Sequence, residues 1–118
     1  MKLFKSFFHA FRGFSVATNS EFNLKIHIII ALLVIIAGSF FNITVSEFII
    51  CLLLFALVIS TELINTCIEG ICNILRDKYK LAYKDSQNIR DIAASAVLFN
   101  AIIASIIGLL IFLPYLNF

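Results

Sequence analysis

Charge is scarce in this sequence: Asp, Glu, Lys and Arg make up 14% of the 118 residues, against 62% that are hydrophobic. Soluble domains of ordinary composition carry about 25% charge, so that class is excluded and lipid becomes the natural solvent. Lys and Arg are missing altogether from residues 42–46 and from the tail after Leu113. All nine fall elsewhere: Lys2, Lys5, Arg12 and Lys25 before the first apolar run, and Arg76, Lys78, Lys80, Lys84 and Arg90 between the second and third. The positive-inside rule then puts the N-terminus and the second connection in the cytoplasm, and an odd number of spans puts the C-terminus outside. Cys51, Cys67 and Cys72 form no CxxC pair, which leaves them as small packing residues buried in helices rather than redox or metal ligands. Arg12 interrupts the N-terminal segment before an apolar core develops, so no cleavable signal peptide is expected. Internal repeats, low-complexity tracts and linkers are absent, and a single domain over residues 1–118 uses the whole length.

What is present reads as helix. Phe4, Phe7, Phe8, Phe11 and Phe14 recur at helical spacing with Lys2, Lys5, His9 and Arg12 between them, the pattern of an amphipathic helix lying in the headgroup region over about residues 2–14, with Gly13 near its end. Three apolar runs predict spans over about 22–41, 47–73 and 91–113, each near the roughly 20 residues a bilayer needs. Residues 74–90 are the only polar connection of any length. Ala101 with Ser105, and Ala104 with Gly108, place small residues four apart on the third span, where helix backbones can approach closely. The fold class is an all-α membrane protein: a surface helix plus three transmembrane helices.

Within the second span, Glu62, Asn65 and Glu69 are spaced by three and four residues and project from one helix face. An acidic residue at the centre of a spanning helix costs roughly 2.5–3.5 kcal/mol on insertion scales. Such a pair calls for a function or a compensating partner, unless both acids sit in the hydrated interface. Glu21 before the first span and Arg90 and Asp91 before the third stand at the same level, forming with these three a polar cluster at the inner membrane boundary. Open carboxylates suit Mg²⁺, which binds one or two protein carboxylates together with substrate phosphates and water. A buried glutamate two turns deeper than a second one can link an acceptor in the bilayer to a donor from the cytoplasm.

The run Glu62-Leu63-Ile64-Asn65-Thr66-Cys67-Ile68-Glu69 resembles the E-x-x-N-[ST]-x-I-E signature of the small bacterial lipid kinases, the diacylglycerol kinase and undecaprenol kinase family. Arg12-Gly13, the EFNLKIH segment from Glu21 to His27, and Asp91-Ile92-Ala93-Ala94-Ser95-Ala96-Val97-Leu98 follow the same family order. The resemblance implies a homotrimer with active sites between protomers and ATP-dependent phosphorylation of a lipid alcohol. By the same resemblance Glu62 is the catalytic base, and Asn65, beside it in the catalytic set, orients the carboxylate pair that holds Mg²⁺. Glu21 and Glu69 are the Mg²⁺ ligands, and Arg90, Asp91, Arg12, Lys78, Tyr79 and Lys80 contact the nucleotide. No GxxxxGK[ST] loop is present, so phosphate is handled by metal, bases and carboxylates, and no nucleic-acid partner is implied. Two departures stand out: Arg90-Asp91 replaces the family's usual Lys-Asp pair, and the connection between Glu69 and Asp91 is about three residues longer than usual. The FRG and E-x-N-x-K-I-H patterns are closer to the undecaprenol branch than to the diacylglycerol branch. The alternative from another class is a non-enzymatic proton relay or helix-interaction protein, which the bare outer halves of the spans argue against.

Overall fold

A computed structural model describes residues 1–116. These form four helices, α1 (Lys2–Ser20), α2 (Phe22–Phe41), α3 (Val45–Tyr79) and α4 (Tyr83–Phe112), and a closing 3-10 turn, Leu113–Leu116. The last three helices are each long and apolar enough to cross a membrane. The protein is therefore a multi-pass membrane protein.

Helix α1 does not stop near Gly13 but runs to Ser20. One glycine costs only about 1 kcal/mol relative to alanine, and the Thr18 hydroxyl bonds back to the Phe14 carbonyl at 2.8 Å instead of breaking the helix. The break comes at Glu21, whose extended backbone (φ −111°, ψ 113°) joins α1 directly to α2. Ala17 and Leu24, on either side of this corner, are buried. Phe4, Phe7, Phe8 and Phe11 are exposed.

Helix α2 is 20 residues long, about 30 Å at 1.5 Å per residue, the thickness of a hydrocarbon core. It ends at Asn42, which adopts the left-handed conformation (φ 52°) that asparagine tolerates better than most residues. The Ile43 N–H returns to the Gly38 carbonyl at 3.1 Å, and a Cβ at Gly38 would stand 2.9 Å from Ile43 Cδ1. Thr44 then starts α3 with a reciprocal cap: the Glu47 N–H donates to Thr44 Oγ1 at 3.1 Å and the Thr44 N–H to Glu47 Oε1 at 2.9 Å. The Tyr115 hydroxyl also donates to Glu47, tying the end of the chain to the same cap.

The polar connection expected over residues 74–90 is mostly helix. Helix α3 continues to Tyr79 and α4 begins at Tyr83, leaving residues 80–82 to turn the chain. Residues 74–90 contain neither Gly nor Pro, and Arg, Lys and Leu are good helix formers; polarity here marks departure from the bilayer, not departure from helix. Lys80, left-handed at φ 59°, makes the turn, and the Leu81 N–H caps the Leu75 carbonyl at 3.1 Å. Spans and helices thus differ in length: α3 has 35 residues and α4 has 30.

Helix α3 is the centre of the fold, packed most extensively against α4, less against α2 and least against α1. Cys51, Val58, Glu62, Asn65 and Cys72 mark its buried face. Cys67 does not belong to that face: it is exposed, unlike Cys51 and Cys72. Two residues beyond Asn65 is about 200° of helical rotation, which turns Cys67 to the opposite side. The small residues of α4 also depart from expectation. Ala101, Ala104, Ser105 and Gly108 line a groove of about 460 Å³ shared with α2 and α3, and no side chain lies within 4 Å of a Cβ built on Gly108. Their missing volume is left as open space beside α2 and α3.

Candidate active site

The site is built on the middle of α3. Because residues 62, 65 and 69 share a helical face, Glu62 and Asn65 are turned into the protein, 2% and 6% exposed, and Glu69 sits half-buried one turn further on. Asn65 Nδ2 donates to Glu69 Oε1 at 3.2 Å. That bond fixes the amide's orientation and leaves Asn65 Oδ1 buried without a protein donor, an acceptor aimed inward.

Helix α2 supplies the facing wall. Leu24, Ala31 and Gly38 are its buried positions, and His27 lies between the first two on the same stripe, with Nε2 3.9 Å from Glu62 Oε2. Glu21, at the corner between α1 and α2, and Glu69 both lie within electrostatic range of Glu62. Three carboxylates and one carboxamide therefore share one electrostatic neighbourhood, Glu21 on the corner and the rest on α3. Among the described residues no three His, Cys, Asp or Glu side chains converge tightly enough to hold a metal ion by themselves.

Helix α4 contributes a bond that sequence reasoning missed. Asn100 Nδ2 donates to Thr61 Oγ1 at 3.4 Å, next to Glu62 in the chain. Its signal was a single amide inside the apolar run from Ile92 to Leu113; polar side chains so placed bond across helices. His27 was legible only as part of the EFNLKIH segment, and its contact with Glu62 needs two helices in register.

The remaining candidates lie toward the α3–α4 turn. Arg90 is half-buried: Nε donates to Ser86 Oγ at 3.2 Å, its guanidinium lies 4.9 Å from the centre of the Tyr83 ring, and one terminal nitrogen is buried without an acceptor. Both Arg90 and Lys80 act electrostatically on Asp77, which pairs with Arg76 at 2.9 Å. Arg12, Lys78, Tyr79, Lys80 and Asp91 are exposed. The carboxylates gather around Glu62, and the cations form a separate fringe.

A family profile for prokaryotic diacylglycerol kinases matches residues 8–112. The chain belongs to that family. It is 40% identical over 115 residues to the undecaprenol kinase of Bacillus subtilis (strain 168), covering 98% of this chain and 91% of that one. With the diacylglycerol kinase of Synechocystis sp. (strain ATCC 27184 / PCC 6803 / Kazusa) it shares 33% identity over 113 residues, 95% of this chain and 63% of the relative. No solved structure matches. The protein is a membrane-embedded lipid kinase, a transferase for which the family implies ATP as phosphoryl donor. Membership removes the non-enzymatic relay as an alternative.

Proposed function

We propose that this kinase phosphorylates undecaprenol at the cytoplasmic face of the membrane, as a homotrimer, with Glu62 as base. The observation that carries the reading is Glu62 itself, a carboxylate 2% exposed beside an apolar groove whose lining includes His27, with two further carboxylates in range. A desolvated carboxylate is a stronger proton acceptor than a hydrated one. Glu62 takes the proton of the lipid hydroxyl as that oxygen bonds to the γ-phosphorus and the bond to ADP breaks.

Glu21 and Glu69 hold Mg²⁺ in this reading, and the donor set fits: hard carboxylate oxygens, one of them oriented by Asn65, with the Asn65 carbonyl oxygen free beside them. Too few protein ligands converge for a closed site, which suits an ion that completes its shell with phosphate and water. When bound, it offsets charge on the transferring phosphoryl group. Asn65 orients the Glu69 carboxylate. Arg90, with a buried unpaired donor, contacts phosphate, and Asp91, Arg12, Lys78, Tyr79 and Lys80 complete the nucleotide's surroundings. The amphipathic α1 lies on the cytoplasmic surface, its phenylalanines in lipid.

The choice of lipid is supported by 40% identity over nearly the full length of an undecaprenol kinase, against 33% with a diacylglycerol kinase that extends well beyond the match. Purified protein offered undecaprenol and diacylglycerol in the same detergent is expected to show the higher kcat/KM for undecaprenol. Preference for diacylglycerol would reassign the substrate and leave the kinase assignment intact.

A further inference from the structure

Each turnover in the reading above leaves Glu62 carrying the proton of the lipid hydroxyl. The acid must lose it before the next substrate can react, yet its side chain is only 3% exposed. Among the described residues, the ionisable groups that act on it are the carboxylates of Glu21 and Glu69 and the imidazole of His27. The two carboxylates are committed to the metal in the proposed mechanism, so their lone pairs are engaged when the proton is released. His27 is different in kind: a neutral imidazole accepts a proton at one nitrogen and holds another at the second.

Geometry gives His27 a direction as well. Nε2 stands 3.9 Å from Glu62 Oε2, with the His27 side chain 20% exposed two residues from Lys25 and within the first two turns of α2; the imidazole thus lies between the buried acid and the polar end of the span. The separation exceeds a hydrogen bond, as is common for proton-transfer pairs in free enzymes before substrate closes the site. No hydrogen bond to another side chain holds the ring among the described residues; its neighbours in the groove are Ile30 on its own helix, Val58 and Ile59 on α3, and Ala101 and Ala104 on α4.

We propose that His27 is the relay partner of Glu62, with Nε2 unprotonated before reaction and removing the carboxyl proton afterwards. The inference rests on Glu62 being the base. The proton passes from the lipid oxygen to Glu62 as the phosphoryl group is transferred, then from Glu62 to Nε2 of His27, and leaves from Nδ1 to water. Glu62 ends ionised and His27 ends neutral with its proton on Nε2; exchange through water returns that proton to Nδ1 before the next turnover, and no further reactant is consumed. His27 is a positioning residue in this scheme; it acts on the reaction through Glu62.

The experiment uses the purified full-length protein with saturating lipid alcohol and MgATP. His27→Ala is expected to lower kcat by about tenfold or more, the low end of what general acid–base groups contribute, while both KM values move less than about twofold. Added imidazole, which the adjoining groove can admit, restores much of the rate, and ring-substituted imidazoles restore it in order of basicity. His27→Gln keeps bulk and hydrogen bonding but cannot relay, so it stays slow. An unchanged kcat in His27→Ala, a loss confined to KM, full activity in His27→Gln, or no response to imidazole each overturns the relay. Glu62→Gln tests the underlying reading separately. If Glu62→Gln is inactive while His27→Ala turns over normally, the base stands and the relay falls; if Glu62→Gln itself turns over, the base assignment is wrong.

Discussion

At the scale of single residues, the site separates acids that meet from bases that stay apart. Glu21, Glu62 and Glu69 share one region, a mutual repulsion that a divalent cation would relieve. Glu21→Gln and Glu69→Gln are each expected to raise the Mg²⁺ concentration for half-maximal rate by about tenfold, the lower bound for losing a ligand-level contact; titrating metal at fixed nucleotide measures it. Arg90 carries a different expectation. Charge alone would let lysine replace it, but its guanidinium bonds Ser86 and lies on Tyr83, contacts that depend on a planar fork. Arg90→Lys should therefore keep partial activity and Arg90→Ala very little, and Ser86→Ala should bring Arg90 closer to the lysine variant. Rates at saturating lipid compare all three. A lysine variant as active as the parent would show that only the charge matters.

At the scale of elements, the α2–α3 turn holds the register that brings His27 opposite Glu62. Asn42 is left-handed at φ 52°, a conformation costing most residues roughly 1–2 kcal/mol. Asn42→Gly should leave the melting temperature in detergent nearly unchanged, whereas Asn42→Val should lower it, since a β-branched side chain is least tolerated there. Equal melting of the two variants would mean that the capping box of Thr44 and Glu47 sets the turn unaided. The helix boundaries were partly legible beforehand. Apolar runs located the three spans, but residues 74–79 and 83–90 read as loop because hydropathy reports the solvent of a segment and not its hydrogen bonding. Gly13 misled in a similar way, since one weak helix former does not end a helix whose neighbours all favour it.

At the scale of the whole molecule, little of the chain is buried by itself. At most 17% of the most apolar stretch of each candidate span is buried within the protein, and large apolar side chains such as Ile29, Leu33, Leu53 and Phe99 are exposed. Those faces are available to lipid and, in the homotrimer proposed, to neighbouring protomers. Orientation is testable on the same scale. In a background lacking Cys51, Cys67 and Cys72, a cysteine at Lys80 should be shielded from impermeant thiol reagents in intact cells, and one at Leu116 should be labelled. Reversed labelling would deny ATP its access to the site and overturn the proposed topology.

Composition and periodicity were enough, without coordinates, for the membrane class, the three spans, the shared face of Glu62, Asn65 and Glu69, and the segregation of positive charge. These are local properties: hydropathy follows from side-chain type, and the common face follows from the helical repeat. Tertiary structure alone decided that His27 stands against Glu62, that Asn100 bonds Thr61, that Arg90 is held by Ser86 and Tyr83 because α4 begins at Tyr83, and that the small residues of α4 border open space. The first two depend on the rotation and depth at which separate helices meet, the third on where a helix starts, and the last on how closely the helices are spaced. A one-dimensional pattern gives the face of each helix but not the angle and distance between helices, because many packings bury the same stripe.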